Sequence, residues 1–250
     1  MNRFTDRVAF LTGVASGVGR STAIRLAAEG ASVFGIDVDD EGMAGTAAVV
    51  AEAGGTMTTR RVDVASVEEI RAAVTECIEA FGGIDVVGNI AGIANQRHVA
   101  DVSEADWDRM NAINLKGPFF IAQATLPHLI ERKGALINIA SNAGLMGQAY
   151  TVPYCATKGG IVNMTRALAM EFIKTDVRVN AIAPGGIDTP LVHNFELAPD
   201  VDFAIMQNHI GFRPPSTPDQ IAAFFAFLAS DEAANITGSI LSADGGLTAA

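Results

Sequence analysis

The chain is poor in the residues that staple, stack or span. It holds two cysteines, one tryptophan and two tyrosines in 250 residues. Cys77 and Cys155 fall in helix-like segments with no framework spacing, which excludes a disulfide scaffold and reads as two free thiols. No run reaches eighteen apolar residues, and the opening MNRFTDRVAFLTG has no uninterrupted apolar stretch ahead of the first strand-like run. A membrane span and an export signal are therefore not expected, and the reading is a soluble, cytoplasmic protein. Basic residues are scarce too, 17 Lys and Arg against 28 Asp and Glu, for a formal charge of −11. Such a surface repels phosphates, so nucleic acid is excluded as a partner. His98, His128, His193 and His209 show no ligand spacing among themselves or with the cysteines, and no metal is expected.

What the chain does have is apolar substance in a regular order. Hydrophobic residues make up 49% and charged residues 18%, enough for a sheet buried on both faces. Short apolar runs at 8–13, 31–37, 56–62, 84–89, 135–140, 177–183 and 239–243 read as strands. Between them, 18–29, 39–53, 66–81, 103–132, 153–174 and 217–229 carry helical periodicity. Near-continuous hydrophobic strands such as ALINIA belong in a parallel sheet covered on both sides. The alternation predicts one α/β domain over 1–250, a Rossmann-type, doubly wound, seven-stranded parallel sheet with helices on both faces. The one long irregular segment, 184–216, is the natural place for a lid, taken as about 187–213.

Directly after the first strand, Thr12-Gly13-Val14-Ala15-Ser16-Gly17-Val18-Gly19 turns into a helix. Glycines there let a backbone approach a pyrophosphate, and the free amides and dipole of a helix start favour its charge. The spacing is G-x-x-x-G-x-G, not the G-x-G-x-x-G fingerprint, so the context carries the argument. Asp37 ends the second strand, where a carboxylate accepts hydrogen bonds from an adenosine ribose and repels a 2′-phosphate. Asp63 and Val64 follow the third strand, and Asn89, Ala91 and Gly92 follow the fourth, at the same carboxyl edge. For Asn89 the competing reading, an amide that ties adjacent strands, is the stronger one.

Tyr154 and Lys158, in YCATK, stand one helical turn apart, so phenol and ammonium leave the same face. Ser141 closes ALINIA at the same sheet edge. Asn114 precedes Pro118 by four residues, so its carbonyl lacks a helical partner and the 103–132 helix should kink there.

Taken together, the Gly13/Gly17/Gly19 loop, Asn89-Ile90-Ala91-Gly92, Asn114, Ser141, Tyr154-x-x-x-Lys158, Pro184-Gly185 and Ser242-Ala243-Asp244-Gly245-Gly246 resemble the short-chain dehydrogenase/reductase family, in order and over essentially the whole chain. Ile90 stands where that family often has a second asparagine. The resemblance implies an enzyme that interconverts a secondary alcohol and a ketone with NAD. In it, Tyr154 is the general acid and base with a phenol pKa well below its usual value, lowered by the positive nicotinamide ring of the oxidised cofactor and by Lys158, which also bonds the nicotinamide ribose. Ser141 donates to the substrate oxygen and Asn114 holds a relay water. Ser16, Val18, Ile187 and Thr189 join the cofactor set, Thr189 at the carboxamide. It further implies a homotetramer built on the long helices, for which Ile161, Val162, Met164, Leu168, Met170, Phe172 and Ile173 supply more apolar surface than one sheet-facing stripe needs.

Two other readings stand beside it. A 3-oxoacyl-acyl-carrier-protein reductase resembles the same pattern, but such enzymes carry a basic residue where this chain has Ser16 and Val38. A catalytically silent NAD-binding sensor on the same fold is the alternative of a different class. Within the lid, Leu191, Val192, Phe195, Leu197, Phe203, Ile205, Met206, Ile210 and Phe212 among the acids Asp188, Glu196, Asp200 and Asp202 predict a small-molecule substrate with an apolar body.

Overall fold

The computed structural model describes residues 2–193, 197–211 and 213–249. Its seven strands are β1 (Val8–Thr12), β2 (Ser32–Asp37), β3 (Thr56–Arg61), β4 (Val86–Asn89), β5 (Ala135–Ile139), β6 (Arg178–Pro184) and β7 (Ile240–Ala243). They form one sheet in the order β3-β2-β1-β4-β5-β6-β7, with every neighbouring pair parallel. The chain runs outward from β1 to β3, then returns to begin again at β4. That reversal opens a crevice beyond the carboxyl ends of β1 and β4, the place where ligands settle in open α/β sheets.

The helices are α1 (Gly17–Ala28), α2 (Asp40–Glu52), α3 (Val67–Phe81), α4 (Glu104–Asn111), α5 (Gly117–Arg132), α6 (Val152–Glu171), α7 (Pro190–His193), α8 (Phe203–Met206) and α9 (Pro218–Ala229). One face of the sheet is covered by α1, α2 and α9, whose Leu26, Val50, Ile221 and Phe225 pack on Leu11, Val33 and Ile137. The other is covered by α3, α5 and α6, through Ile70, Val74, Ile121, Leu129 and Leu168 on Phe10, Phe34 and Leu136. Burial on two sides explains why β1 and β5 read as near-continuous apolar runs, while the edge strands β3 and β7 are only partly covered. Phe225 has no exposed surface, and Phe225→Ala is expected to cost about 3–5 kcal/mol through lost burial and the cavity left behind.

The expected single helix over 103–132 is divided. Ala112–Lys116 form a π-helical turn between α4 and α5, closed by the Gly117 N–H to the Ala112 carbonyl. Pro118 is the cause, because without an N–H it cannot bond the Asn114 carbonyl, and the chain widens locally instead of continuing.

Candidate active site

Across the carboxyl edge runs a cleft of about 340 Å³. One end is walled by Asp37, Val38, Val62 and Asp63, the middle by the β1–α1 turn, and the other end by Ser141, Tyr154 and Lys158. Gly13, Ser16, Gly17, Val18, Gly19, Val64, Ala91, Gly92, Pro184, Gly185, Ile187 and Thr189 also line it, as expected from the sequence. An extended ligand with a polar head at each end suits this shape.

The β1–α1 turn is built to leave donors free. Asp39, Ser66, Ser103 and Thr217 each cap their helix by accepting a first-turn backbone N–H. Ser16 makes no such bond, and α1 has no acid in its first turn. The first amides of a helix lack internal partners, so those of α1 remain available to an anion. Gly17 has φ +51°, and a Cβ on Gly19 would lie 1.9 Å from the Gly13 carbonyl oxygen. Side chains there would both strain the turn and fill the cradle. Asp37 adds the carboxylate at the end of β2. Its Oδ2 accepts the Ala15 N–H at 3.1 Å and its Oδ1 the Val38 N–H at 2.7 Å.

At the far end, Lys158 is 5% exposed and donates from Nζ to the Ile139 carbonyl at 2.8 Å. Burial pushes it down to about 8. Its ammonium lies 5.7 Å from the centroid of the half-buried Tyr154 ring. Burial pushes the Tyr154 phenol up from its ordinary value, Ser141 pulls it back through a hydrogen bond, and the neighbouring Cys155 charge adds to the rise. The sequence reading expected a lowered pKa under the charges of Lys158 and an oxidised nicotinamide; the chain's own groups alone act in the opposite direction. Desolvation disfavours the phenolate, and Lys158 is turned toward a carbonyl rather than held against the phenol oxygen. The cleft walls by themselves therefore keep Tyr154 protonated at neutral pH.

Two expected residues do not line the cleft. Asn89 is buried, with its amide nitrogen donating to Asn138 Oδ1 at 2.8 Å and to the Pro118 carbonyl at 3.2 Å, so it ties β4 to β5 and to the start of α5. The strand-tie reading fits its side-chain partners, so a cofactor contact at Asn89 would fall to its backbone. Asn114 places its side chain against the loop after β4, accepting the Ile93 N–H at 2.9 Å and donating to the Ile93 carbonyl at 2.8 Å. Its amide positions that loop, and any relay role rests on its backbone carbonyl. Sequence reasoning missed Ile93, Arg109 and Ile113, which also line the cleft, while Pro190 and Leu191 reach it from the expected lid. Arg109 sits in an ordinary charged helix, DWDRM, with no spacing signal that singles it out.

Of the lid, only Ile187, Thr189, Pro190 and Leu191 reach the cleft among the described residues. Farther along, two side chains from the body hold the lid backbone. His98 donates from Nε2 to the Pro199 carbonyl at 2.7 Å, and the Tyr150 hydroxyl accepts the Asp202 N–H at 2.9 Å. Their rings meet edge to face, centroids 4.9 Å apart. Met206 is buried, whereas Leu191, Val192, Leu197, Phe203, Ile205 and Ile210 are exposed. Phe195, Glu196 and Phe212 lie outside the described residues.

Comparison with known proteins places this geometry. The family model described as enoyl-(acyl carrier protein) reductase matches residues 13–248. A 2,5-dichloro-2,5-cyclohexadiene-1,4-diol dehydrogenase of Sphingobium indicum is 39% identical, over 98% of this chain and 97% of its own. A 3-oxoacyl-[acyl-carrier-protein] reductase of Thermotoga maritima is 33% identical, over 98% and 99%. The crystal structure of carveol dehydrogenase from Mycobacterium avium in complex with NAD superposes with a TM-score of 0.91 at 30% identity, covering 100% of both chains. With its sheet order, glycine turn and Ser141, Tyr154 and Lys158 at one sheet edge, the chain belongs to the short-chain dehydrogenase/reductase family of oxidoreductases.

Proposed function

We propose that the chain interconverts a secondary alcohol and a ketone with NAD(H), Tyr154 acting as acid in one direction and base in the other. The observation that carries this reading is the shared cleft: Ser141, Tyr154 and Lys158 stand at one end, and the uncapped α1 start with Asp37 at the other. The free amides of the turn fit a pyrophosphate, and Asp37 fits the adenosine ribose hydroxyls. The related carveol dehydrogenase structure contains NAD. When bound, the nicotinamide supplies or accepts the hydride.

The chain's own groups account for the proton. For ketone reduction, protonated Tyr154 gives its O–H proton to the carbonyl oxygen as negative charge develops there. Ser141 donates a hydrogen bond to the same oxygen, and its stabilisation grows with that charge. Lys158, charged below about pH 8, favours the phenolate left behind and is placed to bond a ribose. For alcohol oxidation the phenolate takes the proton instead, and the burial that raises Tyr154 makes this direction gain with rising pH.

The substrate we infer carries a sizeable apolar body. Cleft walls near Tyr154 include Ile93, Ile139, Ile187 and Leu191, and most described apolar lid residues are not packed into their own subunit. Each methylene such walls take from water is worth roughly 0.8 kcal/mol. The Sphingobium relative is named for a ring diol, which agrees with this direction. A panel of NAD-linked oxidations of cyclic, long-chain and polyhydroxylated secondary alcohols, with a 3-oxoacyl thioester for the reverse reaction, tests the reading. Turnover of apolar alcohols supports it. NADH binding without turnover of any substrate would favour a silent sensor.

A further inference from the structure

Ser141 carries one hydroxyl proton, and its heavy-atom neighbours point to the acceptor that takes it. Its Oγ donates to Asn142 Oδ1 at 3.1 Å and accepts the Ala143 N–H at 3.1 Å. A hydroxyl has one donor and two acceptor sites, so a single lone pair is left. In this arrangement Ser141 cannot donate to a substrate oxygen. Its proton must first leave Asn142.

Asn142 is itself buried, and an amide oxygen abandoned in such a place is costly. The oxygen is not abandoned, because the Gln148 amide donates to the same Asn142 Oδ1 at 3.0 Å. Two donors converge on one acceptor. When Ser141 turns away, Gln148 keeps that acceptor satisfied, and the Ala143 N–H still holds Ser141 Oγ in place. The turn exchanges one hydrogen bond for another of the same kind and leaves no buried polar atom unpaired.

We propose that Asn142 and Gln148 are positioning residues that park the Ser141 proton in the resting enzyme and release it to the substrate oxygen. This rests on the role given to Ser141 above. Before substrate arrives, the Ser141 O–H points to Asn142 Oδ1. With a ketone bound, it rotates onto the carbonyl oxygen. No covalent bond changes in the rotation, and the proton count of each residue is unchanged. Neither Asn142 nor Gln148 touches the cleft, so both act through Ser141 alone.

A double-mutant cycle tests this. Asn142→Ala deletes the acceptor that competes for the Ser141 proton and is expected to leave kcat at or above the wild-type value, with the substrate KM changed less than twofold. Gln148→Ala leaves Asn142 Oδ1 dependent on the Ser141 proton and is expected to lower kcat roughly three- to tenfold, the size of one hydrogen bond's net worth. In a Ser141→Ala background, each substitution should change kcat less than twofold, because the proton they handle is gone. NADH affinity and thermal midpoint of the Gln148→Ala protein should match wild type. If Asn142→Ala fails to fold, the Gln148→Ala cycle decides alone, since Gln148 is only half-buried. Equal losses in the wild-type and Ser141→Ala backgrounds would mean a structural role and overturn the proposal. A Ser141→Ala enzyme with wild-type kcat would overturn the role of Ser141 itself, a failure of the parent reading and distinct from additivity.

Discussion

Asp37 Oδ2 accepts the backbone N–H of Ala15 at 3.1 Å, which locks the end of β2 to the glycine turn. The carboxylate is thus fixed where an adenosine ribose would lie, and a 2′-phosphate there would meet a charge that cannot swing aside. NAD(H) is expected to bind at least about tenfold more tightly than NADP(H), roughly 1.4 kcal/mol. Asp37→Ala should narrow the gap, helped by Arg61, whose guanidinium reaches the neighbouring Val38 carbonyl at 2.6 Å. Fluorescence titration of both reduced cofactors checks this, and equal affinities for the wild-type protein would contradict it.

Lys158 sets the alkaline limit of ketone reduction. Burial places it at about 8, so its positive charge is present below that pH and is lost as pH rises through it. Tyr154, shifted upward, stays protonated over the same range. The reductive kcat/KM should therefore fall above about pH 8, and Lys158→Ala should weaken both cofactor binding and turnover. A reductive profile that keeps rising through that pH would exclude this assignment.

The Tyr150 hydroxyl and the His98 ring fasten the lid to the body by its backbone. Tyr150→Phe deletes the acceptor for the Asp202 N–H while keeping the ring against His98. Substrate KM should rise about two- to tenfold, with NADH affinity unchanged, because only the lid is loosened. Steady-state kinetics with direct NADH titration separates the two effects. Weaker NADH binding without a change in KM would place the contact elsewhere in function.

On α6, Ile161, Val162 and Leu168 face the core, while Met170 is 67% exposed and Ile173, just past the helix, is 51% exposed. Trp107 on α4 and Phe119 on α5 are exposed as well. A tetramer assembled through these helices would cover them. Light scattering at micromolar protein is expected to give four times the 26.0 kDa chain mass, and a monomer would reject this assembly.

How much of this was legible in the sequence differs by residue type. All seven strands were, the inner ones through their apolar runs and the edge strand β3, TMTTRR, through its β-branched residues and flanking turns. The break at Ala112–Lys116 was foreseen as a kink through Pro118, but its π-helical form was not, since a missing N–H does not say how the chain will relax. Gly17, Asp37, Ser141, Tyr154 and Lys158 were readable because their order along alternating strands and helices fixes them at one sheet edge. Asn89 and Asn114 were less so, because an amide serves equally to bind a ligand or to tie backbone, and here both side chains tie backbone. For Tyr154, the Tyr-x-x-x-Lys spacing shows the neighbouring charge and not the desolvation opposing it.

The central claim is that Tyr154 moves the proton during hydride transfer, and Tyr154→Phe tests it most directly. The substitution removes one hydroxyl and keeps the ring. The account predicts a turnover rate lowered by several orders of magnitude, with NADH binding almost intact, because a proton donor is lost and not a cofactor contact. A Tyr154→Phe enzyme that retained about a tenth of the wild-type rate would contradict it.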